Sequence, residues 1–215
     1  MNIILLAPPA AGKGTEAQIL TKEYSIPQIS TGDLLRGATE KGDALSNEIK
    51  SIMEQGKLVS DEVIIELIKN RINEEDCKNG YILDGFPRTI IQAEKYDEML
   101  EEIGNKIDYV FAIDIDKSIA SSRITGRRTC PNCNRIYNIN SDKLKPNCEN
   151  LCDDCNVELK HRKDDNAETY EKRYNAYLEE TAPLINYYEK KNILYHINGN
   201  VDMGNTHKQI KDIIN

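Results

Sequence analysis

Ile3-Ile4-Leu5-Leu6-Ala7-Pro8-Pro9-Ala10-Ala11-Gly12-Lys13-Gly14-Thr15 is the stretch on which the fold turns. Four apolar residues in a row, cut off before two prolines, read as a short strand buried on both faces of a parallel sheet. The Gly-Lys-Gly-Thr that follows opens a helix. Strand, loop and helix in that order are the setting that the pattern G-x-x-x-x-G-K-[ST] requires. There, backbone N–H groups converge on phosphate oxygens at a helix N-terminus and a lysine adds a point charge. Gly12, Lys13, Gly14 and Thr15 fit, whereas Ala7 stands for the first glycine and Ala10 for the glycine often found mid-loop. A methyl group is tolerated where φ is negative and costs ~1–2 kcal/mol where φ must be positive. The departures weaken the pattern without removing it.

Outward from this stretch, similar apolar runs recur at 81–83, 109–113 and 193–197, with a weaker one at 27–29. Helical periodicity lies between them, as at 15–24, 61–73, 90–103 and 168–191. Strands alternating with helices predict a right-handed parallel α/β sheet of about five strands. Two segments break the alternation. Residues 31–59 read as a mostly helical insertion, and residues 126–165 hold a cysteine cluster with little helical periodicity. The expected division is a core of 1–30, 60–125 and 166–215 carrying these two lobes.

A chain of 215 residues has volume for one compact domain with insertions. Its 36 acidic against 28 basic residues leave a charge of −8, which argues against nucleic acid as a partner. The N-terminal stretch lacks the basic region and long apolar segment of a secretory signal, and no window suits a membrane span. A cytoplasmic protein without membrane partners is expected. Five of the six cysteines fall between Cys130 and Cys155, and such clustering in a cytosolic chain points to metal rather than disulfides.

Two further signatures follow the loop: Thr31-Gly32-Asp33-Leu34-Leu35-Arg36, and Asp84-Gly85-Phe86-Pro87-Arg88-Thr89 with Gln92 one turn on. Asp84 ends a buried strand, where α/β sheets bind ligands, and beside a phosphate loop it could hold Mg²⁺ through water. It could equally cap the following turn. With "GKGT", "ISTGDLLR", "GKLVSDE", "GYILDGFPRT", "GRR", "RKDD" and "TAPLI" in order, the whole chain resembles the adenylate kinase family, enzymes that convert ATP and AMP to two ADP. The cysteine segment is similar to the zinc-bearing lid of the family's long bacterial form. The resemblance implies a P-loop nucleoside monophosphate kinase fold: a five-stranded parallel sheet flanked by helices, an AMP-binding insertion and a zinc lid. It also implies a monomer.

By the same resemblance, Thr31, Arg36, Gly85, Phe86, Pro87, Arg88 and Gln92 would form the AMP site, with the backbone of Lys57, Leu58 and Val59. Ala10, Ala11, Gly12, Lys13, Gly14 and Thr15 would hold ATP phosphates. Arg123 would lie against adenine, near Arg127 and the backbone of Ile136, Tyr137 and Val201. Arg162 and Arg173 would reach the transferred phosphoryl group and AMP, so Lys13, Arg88, Arg127, Arg162 and Arg173 form the implied catalytic set. The residues themselves agree. Phosphoryl transfer asks for positioning and charge, and a forked guanidinium binds phosphate oxygens in pairs. Only nine arginines stand against nineteen lysines, and six of the nine fall at these positions. The paired Asp164 and Asp165 would orient arginines near the lid hinge.

Cys130-Pro-Asn-Cys133 and Cys152-Asp-Asp-Cys155 are C-x-x-C pairs eighteen residues apart, the spacing of a tetrahedral Cys₄ zinc site. Four thiolates close the shell, so the zinc would be structural. Cys148 competes for a place in the second pair. Cys77 reads as packing, and His161, His196 and His207 receive no role. Two rival functions remain: a kinase for another nucleoside monophosphate, or an inactive zinc-ribbon module binding nucleotide or RNA.

Overall fold

The computed structural model describes residues 1–39, 46, 47, 49, 59–161 and 165–215, with only the backbone at 33 and 36. Lys57, Leu58, Arg162, Asp164, the Arg36 side chain and most of the expected 31–59 insertion lie outside the described residues. Five parallel strands form the main sheet in the order β2-β3-β1-β4-β7. They are β1 (Asn2–Leu6), β2 (Gln28–Ser30), β3 (Tyr81–Asp84), β4 (Tyr109–Asp114) and β7 (Leu194–Asn198). All five residues of β1 are buried, as expected of a central strand covered on both faces. From β1 the chain runs to β2 and β3 on one side and to β4 on the other. The loop after β1 therefore leaves the sheet where strand order reverses, the usual ligand position in such sheets.

Helices α1 (Lys13–Tyr24), α2 (Thr31–Thr39), α3 (Asp61–Ile72), α4 (Ile90–Glu102), α5 (Lys117–Gly126), α6 (Ala167–Ala176), α7 (Pro183–Glu189) and α8 (Met203–Ile214) connect and flank the strands. Several begin where side chains satisfy orphan N–H groups. Ser60 caps α3, Thr89 caps α4, Asn166 caps α6 and Asp202 caps α8. The helical pattern expected over 168–191 is broken: α6 passes through a π-turn at Tyr177–Thr181 and restarts at Pro183. Proline lacks the N–H that a continuous helix would need, but is tolerated in the first turn of a new one.

The chain divides into two compact units. The first comprises 1–6, 17–112 and 180–195. Its core packs Ile4 and Leu83 of the sheet with Ile68, Phe86, Tyr96 and Tyr188. Cys77 belongs to this core, and burial pushes its thiol up to about 11, as suits a packing residue. The second unit comprises 7–16, 113–179 and 196–215. It contains a small antiparallel pair, β5 (Arg127–Thr129) with β6 (Ile136–Asn138), and bridges Thr129 to Lys160 and Leu151 to Glu158.

Candidate active site

In the second unit the loop closes into α1. Ala11 N–H donates to Pro8 O at 3.3 Å, and the N–H groups of Thr15 and Glu16 both donate to Gly12 O at 3.0 Å. Ala10 has φ of +64° and Gly12 of +99°, so two of three successive residues adopt a left-handed backbone. Such turns gather N–H groups into anion-binding concavities. Gly12 meets the requirement with no Cβ, whereas Ala10 holds it at a cost of ~1–2 kcal/mol. Ala7 is buried and is absent from the left-handed set, so its methyl group carries no such strain.

Arg123 ties this loop to the segment before α8. Its guanidinium donates to the carbonyls of Ala11 at 3.3 Å, Gly199 at 3.2 Å and Val201 at 3.4 Å. Burial lowers its pKa from the ordinary arginine value. A cavity of about 400 Å³ opens beside it, lined by Ser118, Ile119, Ser122, Asn138, Asn140 and Ser141. Asn138 donates to Arg123 O at 2.9 Å and Asn140 to Ser122 O at 3.2 Å, so the end of β6 and the turn after it satisfy carbonyls at the end of α5. Gly126 permits the approach: a Cβ there would stand 2.2 Å from Asn138 Oδ1. Arg127 forms a fork with the buried Asp165, through Nε at 2.8 Å and a second bond from Nη2 to Oδ1. Arg173 is exposed on α6.

The first unit assembles a second group. Gly85, at φ of +85°, follows Asp84, and its carbonyl accepts from Thr31 Oγ1 at 3.0 Å and from Arg88 Nε at 3.0 Å. The Arg88 backbone N–H donates to Gln92 Oε1 at 2.8 Å, and Gln92 Nε2 donates to Asp61 Oδ1 at 2.7 Å. Gln92 is buried, so both ends of its amide are satisfied in place. Asp84 Oδ2 accepts from Gln28 Nε2 at 2.8 Å. Phe86 and Pro87 are buried, with the Phe86 ring edge-on to Tyr96; any ligand contact there falls to backbone. Val59 is buried as well.

In the cysteine-bearing segment, the Sγ atoms of Cys130, Cys133, Cys152 and Cys155 all lie within 4.8 Å of one another. Thiolates about 2.3 Å from a tetrahedral zinc stand roughly 3.8 Å apart, against about 2.05 Å in a disulfide. The 3.7 Å between Cys133 Sγ and Cys152 Sγ matches the former. Cys148 is exposed and stands outside the cluster. Each pair closes a matching turn: Asn134 N–H donates to Cys130 O at 3.1 Å and Asn156 N–H to Cys152 O at 2.9 Å. Both asparagines have positive φ, at 58° and 53°. The repeated C-x-x-C-N at 130–134 and 152–156 is the sequence signal for them, since asparagine tolerates this conformation better than most residues. Burial would raise the Cys152 thiol. Hydrogen bonds from the Tyr137 hydroxyl and the N–H groups of Cys155 and Asp154 outweigh it, and the pKa falls to about 6. Burial pushes Cys133 the other way, up to about 12. A cation bound by all four would remove that opposition by deprotonating each. The donor set and its spacing therefore fit zinc.

The family model described as "Adenylate kinase" matches residues 5–193. The chain is 48% identical over its full length, and 98% of the relative's, to an adenylate kinase of Archaeoglobus fulgidus. It is 45% identical to that of Clostridium tetani, again over 100% of this chain and 98% of the relative's. To the adenylate kinase of Thermosipho africanus it is 42% identical, over 100% and 99%. The chain belongs to the adenylate kinase family. It is a phosphotransferase of the nucleoside monophosphate kinase class, which corrects the rival reading of an inactive binding module.

Family membership also frames where the residues read from sequence lie. Thr31, Gly85, Arg88 and Gln92 form one hydrogen-bonded group, and the loop residues, Arg123 and Val201 another. Ile136 and the buried Tyr137 lie on β6. Asn138 and Asn140 carried no recognisable motif. Their partners are helix-end carbonyls, which only the folded chain presents.

Proposed function

We propose that this chain catalyses the reversible, Mg²⁺-dependent transfer of the terminal phosphoryl group of ATP to AMP, giving two ADP. The observation that supports it is the left-handed loop leading into Lys13 in one unit; the other unit, taken by itself, holds the hydrogen-bonded group of Thr31, Gly85, Arg88 and Gln92. In this reading Ala10 to Thr15 receive ATP phosphates on N–H groups, and Lys13 adds charge to the β- and γ-phosphates. Arg123 takes the adenine side with Ile136, Tyr137 and Val201. Thr31, Arg36, the 57–59 backbone and residues 85–88 with Gln92 take AMP. The AMP phosphate oxygen forms the new P–O bond as the bond from the γ-phosphorus to its bridging oxygen breaks, and ADP leaves.

Charge spreads over the equatorial oxygens during transfer, and preorganised donors stabilise it. Arg127, whose fork is already oriented by Asp165, together with Arg88, Arg162 and Arg173 would supply them. Asp84, a carboxylate at a strand end, is chemically suited to hold Mg²⁺ through water. Held there, Mg²⁺ would supply positive charge that neutralises the phosphates. The lid cysteines would hold structural zinc: their shell is full, with no open position for a catalytic water. The core, the 31–59 insertion and the 126–165 lid would act as the three functional parts of a cytoplasmic monomer.

A coupled assay of ADP formation with AMP, UMP and CMP as acceptors tests the reading, and AMP should be strongly preferred. Lys13→Ala should lower kcat by roughly 10²–10³ with the fold intact by circular dichroism, and Arg88→Ala should act similarly with a raised KM for AMP. Turnover within a few-fold of the parent in both variants would overturn the residue assignment. Preference for UMP or CMP would favour the other kinase.

A further inference from the structure

Helix α8 meets the phosphate loop at two points. A Cβ on Gly12 would come within 3.3 Å of Met203 Sδ, and His207 Nδ1 lies 2.6 Å from Glu16 Oε1. Met203 and His207 are four residues apart on α8, and Gly12 and Glu16 are four apart across the start of α1. On α8 that spacing puts Met203 and His207 on one face, so one face of α8 covers the turn that closes the loop. Residue 193, where the family match ends, precedes α8 altogether.

Glu16 is fully buried, and the His207 side chain is 17% exposed. A buried carboxylate is costly unless hydrogen-bonded or paired. This one lies directly after Thr15, on the turn whose N–H groups face incoming phosphate in the reading above. Its charge would repel the anion that the loop has to bind. An imidazole at 2.6 Å holds the carboxylate in place and, when protonated, offsets its charge.

We propose that His207 is a positioning residue for ATP: acting through Glu16, it fixes the first turn of α1 and screens the buried carboxylate from the phosphates. Met203 seats the same turn at Gly12. His207 itself touches no substrate. The inference rests on residues 10–15 being the ATP phosphate site, and its failure is distinguishable. If Lys13→Ala leaves ATP kinetics unchanged, that reading falls; if Lys13→Ala is crippled and His207 variants are not, only this inference falls.

The test compares His207→Ala, Glu16→Gln and the double variant by steady-state kinetics, with ATP affinity measured by calorimetry. His207→Ala removes the imidazole that holds and offsets the buried carboxylate and should raise KM and Kd for ATP about ten-fold, with kcat and the KM for AMP within about two-fold. Glu16→Gln should stay near the parent. The double variant should recover to within about three-fold of it, because no charge is left to screen. A purely structural contact predicts the opposite pattern: a lower Tm with parental ATP affinity in His207→Ala, or a double variant no better than His207→Ala. Either result overturns the proposal. Should His207→Ala not fold, His207→Gln decides. It keeps a donor without the charge, so an ATP KM raised about three-fold supports the proposal and a parental value overturns it.

Discussion

Around the sheet, Ile4, Leu83 and Val110 of its strands join Tyr96 and Tyr188 in a cluster of eighteen buried residues among those described. In the lid the corresponding cluster has four: Cys130, Tyr137, Cys152 and Leu159. Each apolar Å² removed from water contributes about 25 cal/mol, so the first region is held by area alone. The second has too few apolar groups to offset the backbone entropy of ordering its turns. Two of its four core members, Cys130 and Cys152, are also thiols of the zinc-compatible set, so its core and its candidate metal site overlap. Where apolar area is plentiful the fold spends no special chemistry, and where it is scarce four thiols suited to coordination are gathered instead.

The sharpest way to break this comparison is to remove the zinc proposed for the four cysteines. Structural zinc contributes roughly 10–16 kcal/mol in small domains. Chelation, or Cys152→Ser, should therefore abolish amide-exchange protection in the lid while the sheet core stays protected, and bound zinc should fall from one equivalent to none. Cys148→Ser should keep the metal. Equal loss of protection in both regions would show that the lid is not separately held.

A smaller effect tests the other side. Leu83→Ala removes a fully buried side chain from the sheet and should cost about 2–5 kcal/mol in denaturant unfolding. Zinc affinity should be unchanged. A fall in zinc affinity would mean that lid stability is borrowed from the sheet core.

The smallest expected change is at Ala10. Glycine there relieves ~1–2 kcal/mol of left-handed strain but frees the unfolded chain by ~0.5–1 kcal/mol, leaving a net gain of ~0–1.5 kcal/mol. Thermal melts should show a slightly raised Tm, with ATP affinity within about three-fold of the parent. Tighter ATP binding at unchanged Tm would place the strain in the nucleotide-bound loop instead.

How far each region could be read beforehand follows from the range of the interactions that build it. The strand at 3–6, the helices after Ser60 and Thr89, and the four clustered thiols are specified by neighbours within a few residues: apolar runs, caps and C-x-x-C spacing. The restart at Pro183 was legible in principle, since a missing N–H is a local fact, yet the flanking periodicity ran across it. Phe86 was less so, because a motif shows that a residue matters without showing that its ring faces the core.

The sequence alone determined the alternation of strands and helices, the family, and which residues can carry phosphate or zinc chemistry, because propensity, spacing and charge are local properties. Only the tertiary structure decided that Ala10 takes positive φ, that Asp165 forks with Arg127, that Gln92 bridges Arg88 to Asp61, and that His207 reaches Glu16. Those partners lie far apart in the chain or depend on how a loop closes. Their identity is fixed by which buried polar groups the fold brings together and obliges to pair.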